Sequence, residues 1–144
     1  MTLVDSAVPR PANRRLKRIL VIDDIEYVLK SISRTLAAEG FSVFTAKRGS
    51  EALMKYMDCM PDVITVDQKL PDMSGLQLIR QLAERHADHS PGIIFISSVY
   101  DREEIMGIMK EGIDSYLMKP FKRDKLIETV HEVLQARDKR NDQG

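Results

Sequence analysis

The sequence predicts an α/β fold, a parallel sheet of five strands with helices on both faces. Two observations predict it. Short apolar runs rich in β-type residues recur along the chain, at Ile19–Ile22, Phe41–Phe44, Val63–Val66, Ile93–Ile96 and Tyr116–Met118. Four of the five lack strict polar alternation, the pattern of strands covered on both faces. Between the runs lie segments whose apolar residues fall at helical spacing, each able to cover one face of a sheet. Strict alternation of the two patterns implies parallel strands joined by right-handed crossovers.

The elements follow in order. After the first run, Val28, Ile32 and Leu36 fall at i, i+4 and i+8, and Gly40 supplies a C-terminal stop. After the second run, Glu51 to Met57 forms a weaker helix with Ala52, Leu53 and Tyr56 inward. After the third run, Leu76, Ile79 and Leu82 repeat at three-residue steps. Asp101-Arg102-Glu103-Glu104 reads as a capping-box start for a fourth helix. Its stripe is Ile105, Ile108 or Met109, and Gly112, which also ends it. After the fifth run come Leu126, Ile127, Val130, Val133 and Leu134. No internal repeat is present.

The regular pattern occupies residues 18–137 of the 144, one domain's worth of chain. Residues 1–17 hold two prolines and no periodicity and read as a flexible basic arm. The basic cluster Arg10, Arg14, Arg15, Lys17 and Arg18 reads as solvated charge, with a contact site for a partner or nucleic acid as the alternative. Residues 138–144 read as a polar tail that frays. Lys+Arg and Asp+Glu are 22 each, so no global field draws the chain to nucleic acid or an anionic membrane. No apolar run approaches the roughly 18 residues of a membrane span, and the N-terminus lacks a signal-peptide h-region. A single cysteine, Cys59, closes no internal disulfide, which fits a reducing cytoplasm. It reads as a helix-face residue. His86, His89 and His131 lack metal-ligand spacing and read as surface or helix residues.

Chemistry gathers where the runs end. Asp23 and Asp24 follow the first run, Asp67 the third, Ser97 and Ser98 the fourth, and Lys119, before Pro120, the fifth. The second run ends in Thr45-Ala46 and carries no acid. Parallel sheets bind ligands at the carboxyl ends of their strands. In a flavodoxin-like doubly wound sheet of strand order 2-1-3-4-5, the second strand lies at an edge and the four functional ends are neighbours. Three carboxylates so close resist joint ionisation unless a cation intervenes. Mg²⁺, which takes oxygen ligands and retains waters, suits them, with Lys119 as a second positive charge. A carboxylate flanked by two cations can attack phosphorus without a base.

RILVIDD (18–24), DVITVDQKLPDMSGL (62–76), the strand ending at Ser97 and GIDSYLMKPF (112–121) together resemble the receiver domains of two-component response regulators, chemotaxis-type single-domain regulators included. The resemblance spans Arg18 to about Arg137. It implies Asp67 as phosphoacceptor, Asp24 as a direct Mg²⁺ ligand and Asp23 as one acting mainly through water. It implies that Lys69 lends a backbone carbonyl to the metal and that Ser97 bonds the phosphoryl group. Lys119 matches the lysine before proline, where the family carries a cis peptide. Tyr116 matches the aromatic switch position, Leu70 to Gly75 the loop after the acceptor, and Ser98 a small residue guarding entry. Ile25 departs from relatives with a third acid there, and Lys69 puts a long cation at a variable position.

The resemblance implies a signalling domain that catalyses only its own phosphorylation and dephosphorylation. Its donor would be a sensor histidine kinase or phosphotransfer protein. Its target would be bound through the face of the fourth helix, fifth strand and fifth helix. A phosphatase of the haloacid-dehalogenase kind needs Asp-x-Asp after strand one, and here the acids are adjacent. A pseudo-receiver interaction module would not need the complete acidic set. The stretch after Arg137 is too short for a DNA-binding output domain. The chain then acts alone or is one piece of a longer regulator, and its oligomeric state, a homodimer included, stays open.

Overall fold

A computed structural model describes residues 15–143 of the chain. Five strands, β1 (Arg18–Ile22), β2 (Ser42–Ala46), β3 (Val63–Asp67), β4 (Gly92–Ser97) and β5 (Ser115–Met118), form one sheet in the order β2-β1-β3-β4-β5. Every pairing is parallel. The helices between and after them are α1 (Glu26–Ala38), α2 (Gly49–Cys59), α3 (Gly75–Arg85), α4 (Arg102–Met109) and α5 (Arg123–Gln143). The predicted doubly wound, flavodoxin-like order is therefore the observed one.

Successive side chains of a strand point to opposite faces, so each strand feeds two cores. Leu20, Ile22, Ile64, Val66 and Phe95 pack with Tyr56 of α2, Leu78 and Leu82 of α3 and Ile108 of α4. Ile19, Val21, Val63, Ile94 and Ile96 pack with Leu29 and Leu36 of α1 and Val130 and Val133 of α5. Helices α1 and α5 thus cover one face, and α2, α3 and α4 the other. Among the described residues, no helix is long and apolar enough to cross a membrane.

Four details differ from the sequence reading. Helix α1 buries Leu29 with Ile32 and Leu36, while Val28 is half-buried. Gly112 is exposed at φ +89°, beyond the end of α4, so it does not extend the apolar stripe. Helix α5 continues to Gln143 instead of fraying at Arg137. Two long-range pairs accompany that extension, Arg140 to Asp114 at 2.9 Å and Asp138 to Lys17 at 3.7 Å. Finally, Arg15 and Arg18 are structural. Buried Asp62 accepts from the Arg18 backbone N–H at 2.8 Å and lies 3.5 Å from Arg15. The Arg18 guanidinium donates to the carbonyl of Cys59, itself buried at the end of α2. The remainder of the basic arm, residues 1–14, lies outside the described residues.

His86 and His89 flank the ring of Tyr56, with centroids 4.7 and 5.7 Å away. Tyr56 is 1% exposed and donates its hydroxyl to the His89 carbonyl at 3.2 Å. Burial pushes the phenol up from its usual 10.0 to about 12. A raised folded-state value favours the neutral phenol. This contribution is therefore complete below pH 10 and is lost as pH climbs from about 10 to about 12. The separation corresponds to on the order of 2–3 kcal/mol. Urea unfolding of Tyr56→Phe is expected to show about 1 kcal/mol less stability at neutral pH. Its decline between pH 10 and 12 should be shallower than that of the wild type, and equal slopes would contradict the assignment.

Candidate functional site

Strand register brings the polar residues to one rim. Ile22 stands beside Val66, Asp67 beside Ile96, and Ser97 beside Met118. The ladder continues one step further through backbone N–H donors. Asp23 bonds the Ala46 carbonyl at 3.1 Å, Gln68 that of Ile96 at 3.0 Å, and Lys119 that of Ser97 at 2.8 Å. Residues at the carboxyl ends of four strands are thereby held at a common level. The Lys119–Pro120 peptide is cis, as the resemblance implies. A cleft of about 650 Å³ opens here, lined among others by Asp24, Asp67, Lys69, Ser97 and Lys119.

Asp67 is 7% exposed, and its Oδ1 accepts a hydrogen bond from Lys119 Nζ at 2.7 Å. The same ammonium lies 3.7 Å from Asp23 Oδ2. Carboxylate oxygens of Asp23, Asp24 and Asp67 all fall within 4.8 Å of one another. Asp23 is 1% exposed, and its Oδ1 accepts the Ile25 N–H at 2.9 Å. Burial raises its pKa above the ordinary value against the pull of that N–H, and the charges of Asp67 and Asp24 add to the rise. Burial works to lower the Lys119 pKa, but Asp67 and Asp23 outweigh it and the net shift is upward. One ammonium thus serves two of the three acids, Asp67 and Asp23. Asp23 Oδ2 is buried and makes no hydrogen bond. An orphaned carboxylate oxygen facing two other acids fits a hard, oxygen-seeking cation such as Mg²⁺.

The sequence model of the response regulator receiver domain matches residues 19–131. The chain belongs to the response regulator receiver family. It is 28% identical over 118 residues to the chemotaxis protein CheY of Bacillus subtilis, covering 81% of this chain and 97% of that protein. It is 33% identical over 119 residues to the phosphate regulon transcriptional regulatory protein PhoB of Rhizobium meliloti, covering 83% of this chain and 52% of PhoB. The chain therefore spans nearly all of the one and about half of the other. Among solved structures, a CheY-like receiver domain protein from Methanospirillum hungatei superposes with a TM-score of 0.79 at 30% identity. That match covers 88% of this chain and 99% of the other.

Within this receiver domain, Asp23, Asp24, Asp67 and Lys119 come together as predicted. The Ser97 hydroxyl is buried and bonds locally, accepting from the Val99 N–H at 3.1 Å and donating to Gln68 Oε1. The Lys69 side chain is exposed, and its backbone pairs with Ser74 across the loop. Tyr116 is half-buried near Phe95 and donates its hydroxyl to the Val99 carbonyl at 3.0 Å. Glu26, one step past Ile25, pairs with Lys47 and Lys30.

Two contributors were not read from the sequence. Asp72 accepts from the Gly49 and Ser50 N–H groups at 2.8 and 2.9 Å, tying the loop after Asp67 to the start of α2. Gln68 holds the Ser97 hydroxyl. The only sequence signal for that contact is the register, which sets the residue after Asp67 opposite the residue after Ile96.

Proposed function

We propose that this receiver domain takes a phosphoryl group onto Asp67 from a phosphohistidine of a sensor histidine kinase or phosphotransfer protein, and that the acyl phosphate switches its protein contacts. The observation that carries this reading is Asp67 Oδ1 bonded to Lys119 Nζ at 2.7 Å within a cluster of three acids.

Asp67 oxygen forms the new bond to phosphorus as the phosphorus–nitrogen bond of the donor breaks, and the imidazole leaves with the electron pair and takes a proton. Lys119 faces the acceptor and offsets charge on the incoming oxygens. Asp23, Asp24, Asp67 and the backbone carbonyl of Lys69 would hold Mg²⁺. When bound, the ion would neutralise charge on the phosphoryl oxygens and the acids together. Ser97 would then bond a phosphoryl oxygen. Its tie to the Val99 N–H, and Tyr116's tie to the Val99 carbonyl, join Ser97 and Tyr116 through one residue. The receiving surface for a target is α4, β5 and α5, where Tyr100 and Met106 stand exposed just before and on α4. This is signalling chemistry without turnover of a separate substrate.

Incubation with a small phosphodonor tests the reading. Covalent gain of a phosphoryl group is expected with Mg²⁺ and not with a chelator, and no gain with any donor would overturn it. Asp24→Ala should raise the Mg²⁺ concentration for half-maximal phosphorylation by about 10-fold or more. An unchanged requirement would remove Asp24 from the ligand set.

A further inference from the structure

We infer that Gln68 is a latch on Ser97, a positioning residue that opposes the phosphorylated state of this receiver domain. The inference rests on Asp67 being the acceptor, as proposed above.

A serine hydroxyl has one proton and can donate it to one acceptor at a time. In this structure that proton goes to Gln68 Oε1, while the Val99 N–H occupies a lone pair of the same oxygen. Ser97 is 2% exposed, so its hydroxyl has little access to water as an alternative partner. To bond a phosphoryl oxygen on Asp67, Ser97 must therefore release Gln68. The backbone of Gln68 does not move out of the way easily. Its N–H bonds Ile96 at 3.0 Å and its carbonyl accepts from Gly75 at 2.8 Å. Only the side chain is free to give, and it is half-buried, so the released carboxamide can reach water. The latch is thus a real but modest bias.

Its release also bears on the output side. Val99 takes part through both backbone groups, the N–H to Ser97 and the carbonyl to the Tyr116 hydroxyl. A Ser97 freed from Gln68 and drawn toward Asp67 pulls on the same residue that holds Tyr116. Gln68 therefore weights the unphosphorylated arrangement of the β4–α4 loop as well as the acceptor pocket.

Beryllofluoride with Mg²⁺, a tetrahedral mimic of the acyl phosphate, is the probe. Gln68→Met keeps volume and removes the acceptor. Loss of one net hydrogen bond from the unliganded state should tighten beryllofluoride binding about 2- to 12-fold. Mg²⁺ affinity measured without beryllofluoride should not change, which a general disturbance of the pocket would not allow. Ser97→Ala should weaken beryllofluoride binding, and Gln68→Met added to it should then have no further effect. No tightening in Gln68→Met, or equal tightening with and without Ser97, overturns the latch. Should Gln68→Met fail to fold, the wild type decides by NMR. The Gln68 side-chain amide signals must shift on adding beryllofluoride, and unmoved signals overturn the inference. A wild type that does not bind beryllofluoride at all removes the acceptor reading and the latch with it, whereas binding without the Gln68 effects removes the latch alone.

Discussion

Asp67→Asn is expected to lose all covalent phosphoryl gain from a small phosphodonor while remaining folded. The substitution is nearly isosteric. A carboxamide oxygen can still accept from Lys119 Nζ, which keeps its second neighbour, Asp23, at 3.7 Å. What disappears is the carboxylate oxygen proposed as the nucleophile, and no other acid in the cluster shares its position. Asp23 has one oxygen committed to the Ile25 N–H, and Asp24 is exposed and makes no ion pair with Lys119 among the described residues. Intact-protein mass after incubation reads the gain, and far-UV circular dichroism reads the fold. A folded variant that still gains a phosphoryl group would put the acceptor elsewhere.

Gly75→Ala is expected to cost about 2–4 kcal/mol of stability and to slow phosphorylation together. Gly75 opens α3 directly against the end of β3. A Cβ built there would run into the backbone carbonyl oxygen of Asp67, with Phe95 Cε1 at 3.0 Å and Val66 Cγ1 at 3.1 Å on either side. The colliding atom is backbone, and it belongs to Asp67, the proposed acceptor. The Gly75 N–H meanwhile bonds the Gln68 carbonyl at 2.8 Å, so the helix cannot simply withdraw. Relief must come by displacing the residue whose carboxylate faces Lys119. Gly107→Ala on α4 is the control, since a Cβ there meets nothing. Helix propensity predicts that it stabilises by up to about 1 kcal/mol. Urea unfolding of both variants checks the contrast, and comparable stabilities would contradict the packing account.

The strands were legible because burial on both faces writes itself as unbroken apolar runs. Ile93–Ile96, for example, became Gly92–Ser97. The site was legible for a related reason. In a parallel sheet the residue after a run must stand at the same rim as those after its neighbours, so Asp23, Asp67, Ser97 and Lys119 announced themselves by position alone. What sequence could not phase was which of two adjacent apolar residues faces inward, as with Val28 and Leu29 on α1. Nor could local polarity foresee that α5 would continue to Gln143, since Asp114 and Lys17, which pair with its last turns, are remote in sequence. Gln68 and Asp72 stayed hidden for the same reason. Each acts on a partner more than twenty residues away, Gln68 on Ser97 and Asp72 on Gly49 and Ser50, and only the folded register makes them neighbours.

On the proposed function, the cluster serves to make an acyl phosphate at one aspartate. Borohydride reduces such a group and leaves homoserine in place of the phosphorylated residue. Wild-type protein treated with a small phosphodonor and Mg²⁺, reduced and mapped peptide by peptide, is predicted to carry homoserine at position 67. Homoserine at position 23 or 24, or at no position while phosphate is retained elsewhere, would contradict it.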